Sequence, residues 1–223
     1  MTKSLFAKAI SRFVAGVILL GVLLFLPAGT LHYRNGWLLM ILLFVPMFGA
    51  GIFMMFKSPE LLKKRLNVRE VEAEQRLVIV MSGLMFLAAF ILAGFNYRFQ
   101  WMILPDWIVY FASAVFLCSY IMYAEVLREN QYLSRTIEVQ DNQKVVDTGL
   151  YGVVRHPMYF VTLLLFLSMP LILGSLPSFF IMLLYLPIIV KRIQNEEKVL
   201  ENGLEGYSEY KQRVKYRLFP YVW

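Results

Sequence analysis

DTGLYGVVRHPMY, residues Asp147–Tyr159, is the stretch on which the fold turns. It follows a polar connector and opens an apolar run, so it marks a point where the chain re-enters a membrane. Pro157 suits the first turn of a helix, whose N–H groups have no intrahelical partner to lose. Arg155, His156, Tyr151 and Tyr159 crowd around that entry. Further on, a second apolar run ends in Lys191, Arg192, Glu196 and Glu197. These two charged mouths are expected to face each other.

Composition points to an integral membrane protein. The chain is 59% hydrophobic and only 17% charged, with a mean hydropathy of +0.61. A soluble domain carries about a quarter of its residues as charges. Six apolar runs stand out, at 12–29, 36–56, 77–96, 106–127, 158–173 and 177–193. A spanning helix needs about 20 apolar residues, with about 17 as the lower limit. The first four runs meet this. The last two are short, and only Gly174, Ser175 and Leu176 separate them, with Pro177 opening the next helix. That spacing predicts a tight helical hairpin. The fold class expected is all-α and polytopic, with six transmembrane helices, a C-terminal hairpin and a cytoplasmic cofactor site. Residues 1–128 form an N-terminal part of four helices. Residues 129–223 form the connector, hairpin and C-terminal helix.

Cations set the topology. If all six runs span, one side carries three in the N-terminal segment, six over 57–76, four over 128–157 and seven after 190, twenty in all. The other side keeps only Arg34 and Arg98. Positive residues collect on the cytoplasmic side, so both termini are expected there, in the inner membrane if the cell is bacterial. The net charge of +7 is thereby explained without nucleic acid. The first run has the length of a span and lacks a small-residue cleavage pattern, which reads as a retained helix. Cys118, the single cysteine, lies within an apolar run and allows no internal disulfide.

The connectors are informative. Ser58-Pro59-Glu60 is a helix-start pattern, and Leu61, Leu62 and Leu66 among cations predict a short helix on the membrane surface. Residues 136–140 and 143–146 alternate polar and apolar around an Asp141-Asn142 turn, which predicts a small extended hairpin. About the centre of the hairpin turn, Tyr159 comes level with Lys191, His156 with Gln194, and Arg155 with Asn195 and Glu196. Ionisable groups at a membrane boundary are costly unless they face a cavity or one another. Several converge here.

Other chemistries are poorly supported. His32 falls on the opposite side from His156, which leaves no histidine pair for a metal. No glycine-rich phosphate loop follows a strand. No ladder of charges runs through the spans; Glu125 is the nearest approach to one.

DTGLYGVVRHPMY, the hairpin, RIQNEEKVL and GYSEYKQRV together resemble the isoprenylcysteine carboxyl methyltransferase family, whose wider group includes the membrane phospholipid N-methyltransferases. The resemblance runs from Gln140 to Val214. It implies a methyltransferase using S-adenosylmethionine at the cytoplasmic face, with a lipophilic acceptor or lipid entering from the bilayer. Methyl transfer from a sulfonium mainly demands alignment and exclusion of water, and the sparse polar equipment agrees with that. By resemblance, Gln140, Gln143, Lys144, Val145 and Val146 wall the adenosine, and Tyr151 contacts the cofactor. His156, Pro157, Met158 and Tyr159 meet its methionine portion, whose carboxylate the helix N-terminus favours. Glu196 accepts from its ammonium. Arg192 orients an acceptor carboxylate through its bidentate fork. Tyr207, Tyr210 and Val214 follow helical spacing, so a C-terminal helix closes over the site. An amine acceptor would need a base, with Glu197 or Tyr159 as candidates. Alternatives are a phospholipid or amine N-methyltransferase, an NADPH-dependent sterol-type reductase, and a non-enzymatic scaffold.

Overall fold

The computed structural model describes residues 3–57, 62, 66, 73–133, 137 and 139–223, with the backbone alone for 3–5 and 73–77. Eight α-helices occur among them: α1 (Lys3–Ala28), α2 (Arg34–Lys57), α3 (Ala73–Phe99), α4 (Asp106–Glu129), α5 (Pro157–Ile172), α6 (Leu176–Met182), α7 (Tyr185–Gly203) and α8 (Tyr207–Arg213). A 3-10 turn, Gly149–Gly152, precedes α5. No strand occurs among the described residues.

Among the described residues, five segments are long and apolar enough to cross a membrane: Phe6–Ala28, Arg34–Lys57, Val78–Phe99, Asp106–Glu129 and Leu176–Gly203. The last joins α6 and α7 and covers 28 residues, longer than the 177–193 run because its charged end stays helical. The fifth run forms a helix of only 16 residues, about 24 Å long at 1.5 Å per residue. Length therefore supports five spans rather than six. Even so, α5 starts beside Glu197 and ends beside the loop before α4. Much of the surface of the spans is apolar and exposed, including Ile18, Leu26, Val45, Phe53, Phe111 and Ile121. Such faces are suited to lipid.

The end away from the Asp147–Tyr159 stretch is closed by polar locks. Tyr33 donates to the Leu173 carbonyl at 2.6 Å and stacks on Tyr97 at 4.2 Å. Asn96, fully buried, pairs with both backbone groups of Met102. Gly174 takes φ +69, a conformation open to glycine at little cost, and turns the chain after α5. Ser175 then caps α6, accepting from the Ser178 N–H. Arg34 and Arg98 belong to this end: Arg34 donates to Tyr110 at 3.0 Å, and Arg98 lies against Gly29.

The connectors differ from expectation. Most of the surface helix read over 57–76 lies outside the described residues; Leu62 and Leu66 are helical, and Leu62 is buried. In the 136–146 segment the turn forms, with the Gln143 N–H donating to the Gln140 carbonyl at 3.0 Å. The paired strands do not form among the described residues, while Thr136 and Glu138 fall outside them. Gln140 is instead tied down by side chains: its N–H reaches the Gln143 amide oxygen at 2.9 Å, and its own amide reaches the Tyr132 carbonyl.

Helices α1 and α3 touch at Gly94, where an added Cβ would lie 2.7 Å from the Leu24 carbonyl oxygen and 2.8 Å from Pro27. Gly94→Ala is expected to lower stability by about 1–3 kcal/mol through overpacking, although alanine is the better helix former. Thermal melting in detergent checks this.

Candidate functional site

Glu197 is the centre around which the site is built. It lies on α7 at 3% exposure. Its Oε1 accepts from Arg155 Nε at 2.8 Å, and its Oε2 from Arg217 Nε at 2.8 Å. His156 Nε2 stands 3.3 Å from Oε1. The Arg155 guanidinium also donates to the carbonyls of Val214 and Lys215, at 2.7 and 2.9 Å. The backbone N–H groups of Arg155 and His156 donate to the carbonyls of Tyr216 and Arg217, each at 2.9 Å. One carboxylate thus binds the entry to α5, the end of α7 and the C-terminal tail. A buried charge persists only when paired and hydrogen-bonded, and here both oxygens are occupied.

On the other side of that wall lies a large cleft with a volume of about 1450 Å³. Gln143, Lys144, Val145, Val146, Tyr151, His156, Met158, Tyr159, Arg192 and Glu196 all line it. Gln140 and Pro157 do not: Gln140 is held at the connector turn, and Pro157 is buried in the first turn of α5. Glu197 is also absent from the lining, which corrects its candidacy as a base. The Tyr159 hydroxyl, the other candidate, donates to Glu196 and accepts from Arg192 Nε. Arg192, Tyr159 and Glu196 thus form a continuous polar chain on the cleft wall. The register is shifted from that expected of the hairpin: Arg155 and His156 meet Glu197 rather than Glu196 and Gln194, and Tyr159 reaches Glu196 as well as Arg192, the neighbour of its expected partner Lys191.

Tyr151 is placed by the 3-10 turn. Asn130 donates to its hydroxyl at 3.0 Å, and the Tyr210 hydroxyl donates to its carbonyl at 2.7 Å. Leu204, Tyr207 and Tyr210 pack with Val139, Val145, Leu200 and Val214. Helix α8 therefore covers the 143–146 segment, although it has only seven residues and ends at Arg213. The Tyr207 hydroxyl is buried without a partner among the described residues. Burial raises its pKa, and the nearby charges of Glu197 and Glu196 raise it further, so it stays a protonated donor.

Sequence reasoning missed Arg217, Thr162 and Tyr185. Thr162 and Tyr185 pair across the cleft wall at 3.3 Å between hydroxyls. Arg217 had no signal beyond being one cation in a basic tail. Away from this polar end, the cleft runs down between apolar side chains of α1, α2, α3 and α4, among them Phe13, Met47, Ile52, Ile79 and Phe116.

Residues 107–205 match the phospholipid methyltransferase family. The match takes in α4 to α7 with the connector and most of the polar cleft wall. A 91-residue stretch is also 33% identical to Delta(14)-sterol reductase of Mus musculus, covering 40% of this chain. The chain spans 22% of the length of that relative.

Glu197→Ala would leave Arg155 and Arg217 without their carboxylate. A loss of about 3–5 kcal/mol is expected, the usual effect of removing one partner from a buried pair. Chemical denaturation monitored by tryptophan fluorescence measures it. Arg217→Ala should cost less, because Arg155 remains to pair with Glu197.

Proposed function

We propose that this chain is an integral membrane methyltransferase that takes its methyl group from S-adenosylmethionine and delivers it to a lipophilic acceptor. The observation that carries the reading is the cleft itself. It joins a polar end, with Glu196, Arg192, Tyr159 and His156, to an apolar depth between candidate spans. The family match over 107–205 supports the same reaction class. Six crossings with both termini cytoplasmic fit the cation distribution best, with the short α5 as the sixth.

The donor set fits the proposed cofactor. Glu196 offers a carboxylate to an ammonium, and one carboxylate has lone pairs to spare beyond the Tyr159 bond. Val145, Leu200 and Leu204 give an apolar slot for a flat base. The unsatisfied Tyr207 hydroxyl adds a donor in the same region. Tyr151, His156, Met158 and the N-terminus of α5 would meet the methionine portion, while Gln143, Lys144 and Val146 wall the nucleoside. When bound, the cofactor supplies an activated methyl group on a sulfonium. The chain's own part is to align, hold and exclude water. Arg192 would orient an acidic group of the acceptor: a carboxylate in an isoprenylcysteine-like molecule, a phosphate in a phospholipid. Residues 1–128 supply the apolar wall, and residues 129–223 the polar groups.

The stretch shared with Delta(14)-sterol reductase favours a membrane reductase as the second reading. Thermal shift of the purified protein separates the two, since a ligand that binds only the native state stabilises it. S-Adenosylmethionine and S-adenosylhomocysteine at about a hundred times Kd should raise the midpoint by about 5 °C, with NADPH silent. A shift with NADPH alone overturns the reading. Calorimetry on Glu196→Ala should show cofactor affinity reduced about tenfold, as expected for loss of a charge-assisted hydrogen bond.

A further inference from the structure

The cleft ends at a wall that it shares with a second cavity. Its lining stops at Leu43 on α2, Phe86 on α3 and Met169 on α5, each the lining residue of its helix farthest from the polar end. Leu43, Phe86, Phe166 and Met169 also line a cavity of about 550 Å³ that reaches between α1, α2 and α3. That cavity continues away from the polar end along Leu19 and Leu23 of α1 and Leu87 and Phe90 of α3, and every residue lining it is apolar or glycine. Two rings stand in the shared wall. Phe166 meets Phe86 edge to face, with centroids 4.7 Å apart and planes at 88°. It also meets Tyr185, at 4.9 Å and 66°. Such edge contacts are favoured between aromatic rings, so Phe166 is braced from both α3 and α7. It stands seven residues beyond Tyr159 on α5, about 10 Å along the helix axis.

We infer that Phe86 and Phe166 form a stop that sets the length of apolar chain an acceptor can carry into the cleft, and that removing either ring joins the cleft to the second cavity. The inference rests on the reading of the cleft as the site of a lipophilic acceptor. With its acidic head at Arg192, such an acceptor lays its chain along the apolar lining towards this wall. Each methylene that leaves water for that lining strengthens binding about fourfold. A methylene that meets the ring pair gains nothing, because a packed wall yields only at the cost of strain. Affinity therefore climbs with chain length as far as the stop and then levels. Gly83 gives an independent handle on the space beyond. It lines the second cavity but not the cleft, and a Cβ added there meets nothing within 4 Å.

Saturated fatty acids are the probe, because a carboxylate suits Arg192 whatever head group the acceptor itself carries. Radiolabelled acids from octanoic to stearic, bound to the amphipol-held protein, give affinity against chain length. The wild-type curve should climb about fourfold per methylene and then level. Phe166→Ala should carry the climb on to longer acids. Phe86→Ala, on another helix, should do the same, and it carries the test if Phe166→Ala does not fold. Gly83→Leu should leave the wild-type curve unchanged, yet bring the levelling point back when added to Phe166→Ala. Arg192→Gln should weaken every length by a similar factor without moving that point. A wild-type curve that climbs evenly to stearic acid, or a levelling point that the ring variants leave in place, overturns the inference. So does a curve cut short by Gly83→Leu alone, since the chain would then already pass the rings. Unchanged affinity in Arg192→Gln also overturns it, because the chain would not be measured from the polar end. The same samples titrated with S-adenosylhomocysteine keep the two readings apart. No binding by the wild type removes the methyl-donor reading, whereas an unmoved levelling point with S-adenosylhomocysteine bound removes the stop alone.

Discussion

A single buried carboxylate holds the polar end of this protein together. Glu197 receives a guanidinium on each oxygen and an imidazole beside one of them. Its partners come from the entry to α5 and from the C-terminal tail. Without it, the buried Arg155 guanidinium would keep only the Val214 and Lys215 carbonyls and no counter-charge, an arrangement more costly than the pair. The backbone bonds from Arg155 and His156 to the tail depend on the same docking. The wall of the cleft is thus the visible face of an ion-pair network, and its shape follows from that network.

Polar chemistry and apolar access occupy one continuous space. The cleft is lined at one end by Glu196, Arg192, His156 and Lys144 and elsewhere by side chains of the apolar helices. Under the proposed function a water-soluble cofactor and a bilayer-soluble acceptor would have opposite solvation needs, and a cleft with one polar and one apolar end would meet both. Tyr33, Asn96 and the Ser175 cap tie together the far end, opposite the polar ends of α5 and α7.

Much of this was legible in the chain itself. The apolar runs, the Asp141-Asn142 turn, the Pro157 helix start and the glycine turn at 174 follow from local rules of length, φ preference and capping. The convergence of the Arg155–Tyr159 and Arg192–Glu196 segments followed from helix rise alone. Local rules failed where long-range partners decide. The alternating 136–146 segment carries a strand pattern, yet Gln140 is secured by side chains instead of a ladder. The last span is longer than its apolar run, because a helix continues through charges that find partners.

The sequence by itself determined an all-helical chain built to cross a membrane, with its polar groups gathered beside one helix entry. Apolar periodicity and the cost of unpaired charge in lipid admit few other outcomes. Only the tertiary structure decided which of two neighbouring acids faces the cleft. Glu196 and Glu197 are chemically identical and differ by about 100° around one helix axis. That rotation, fixed by Arg155 from the α5 entry and Arg217 from the tail, sends one to the cleft and the other into the wall.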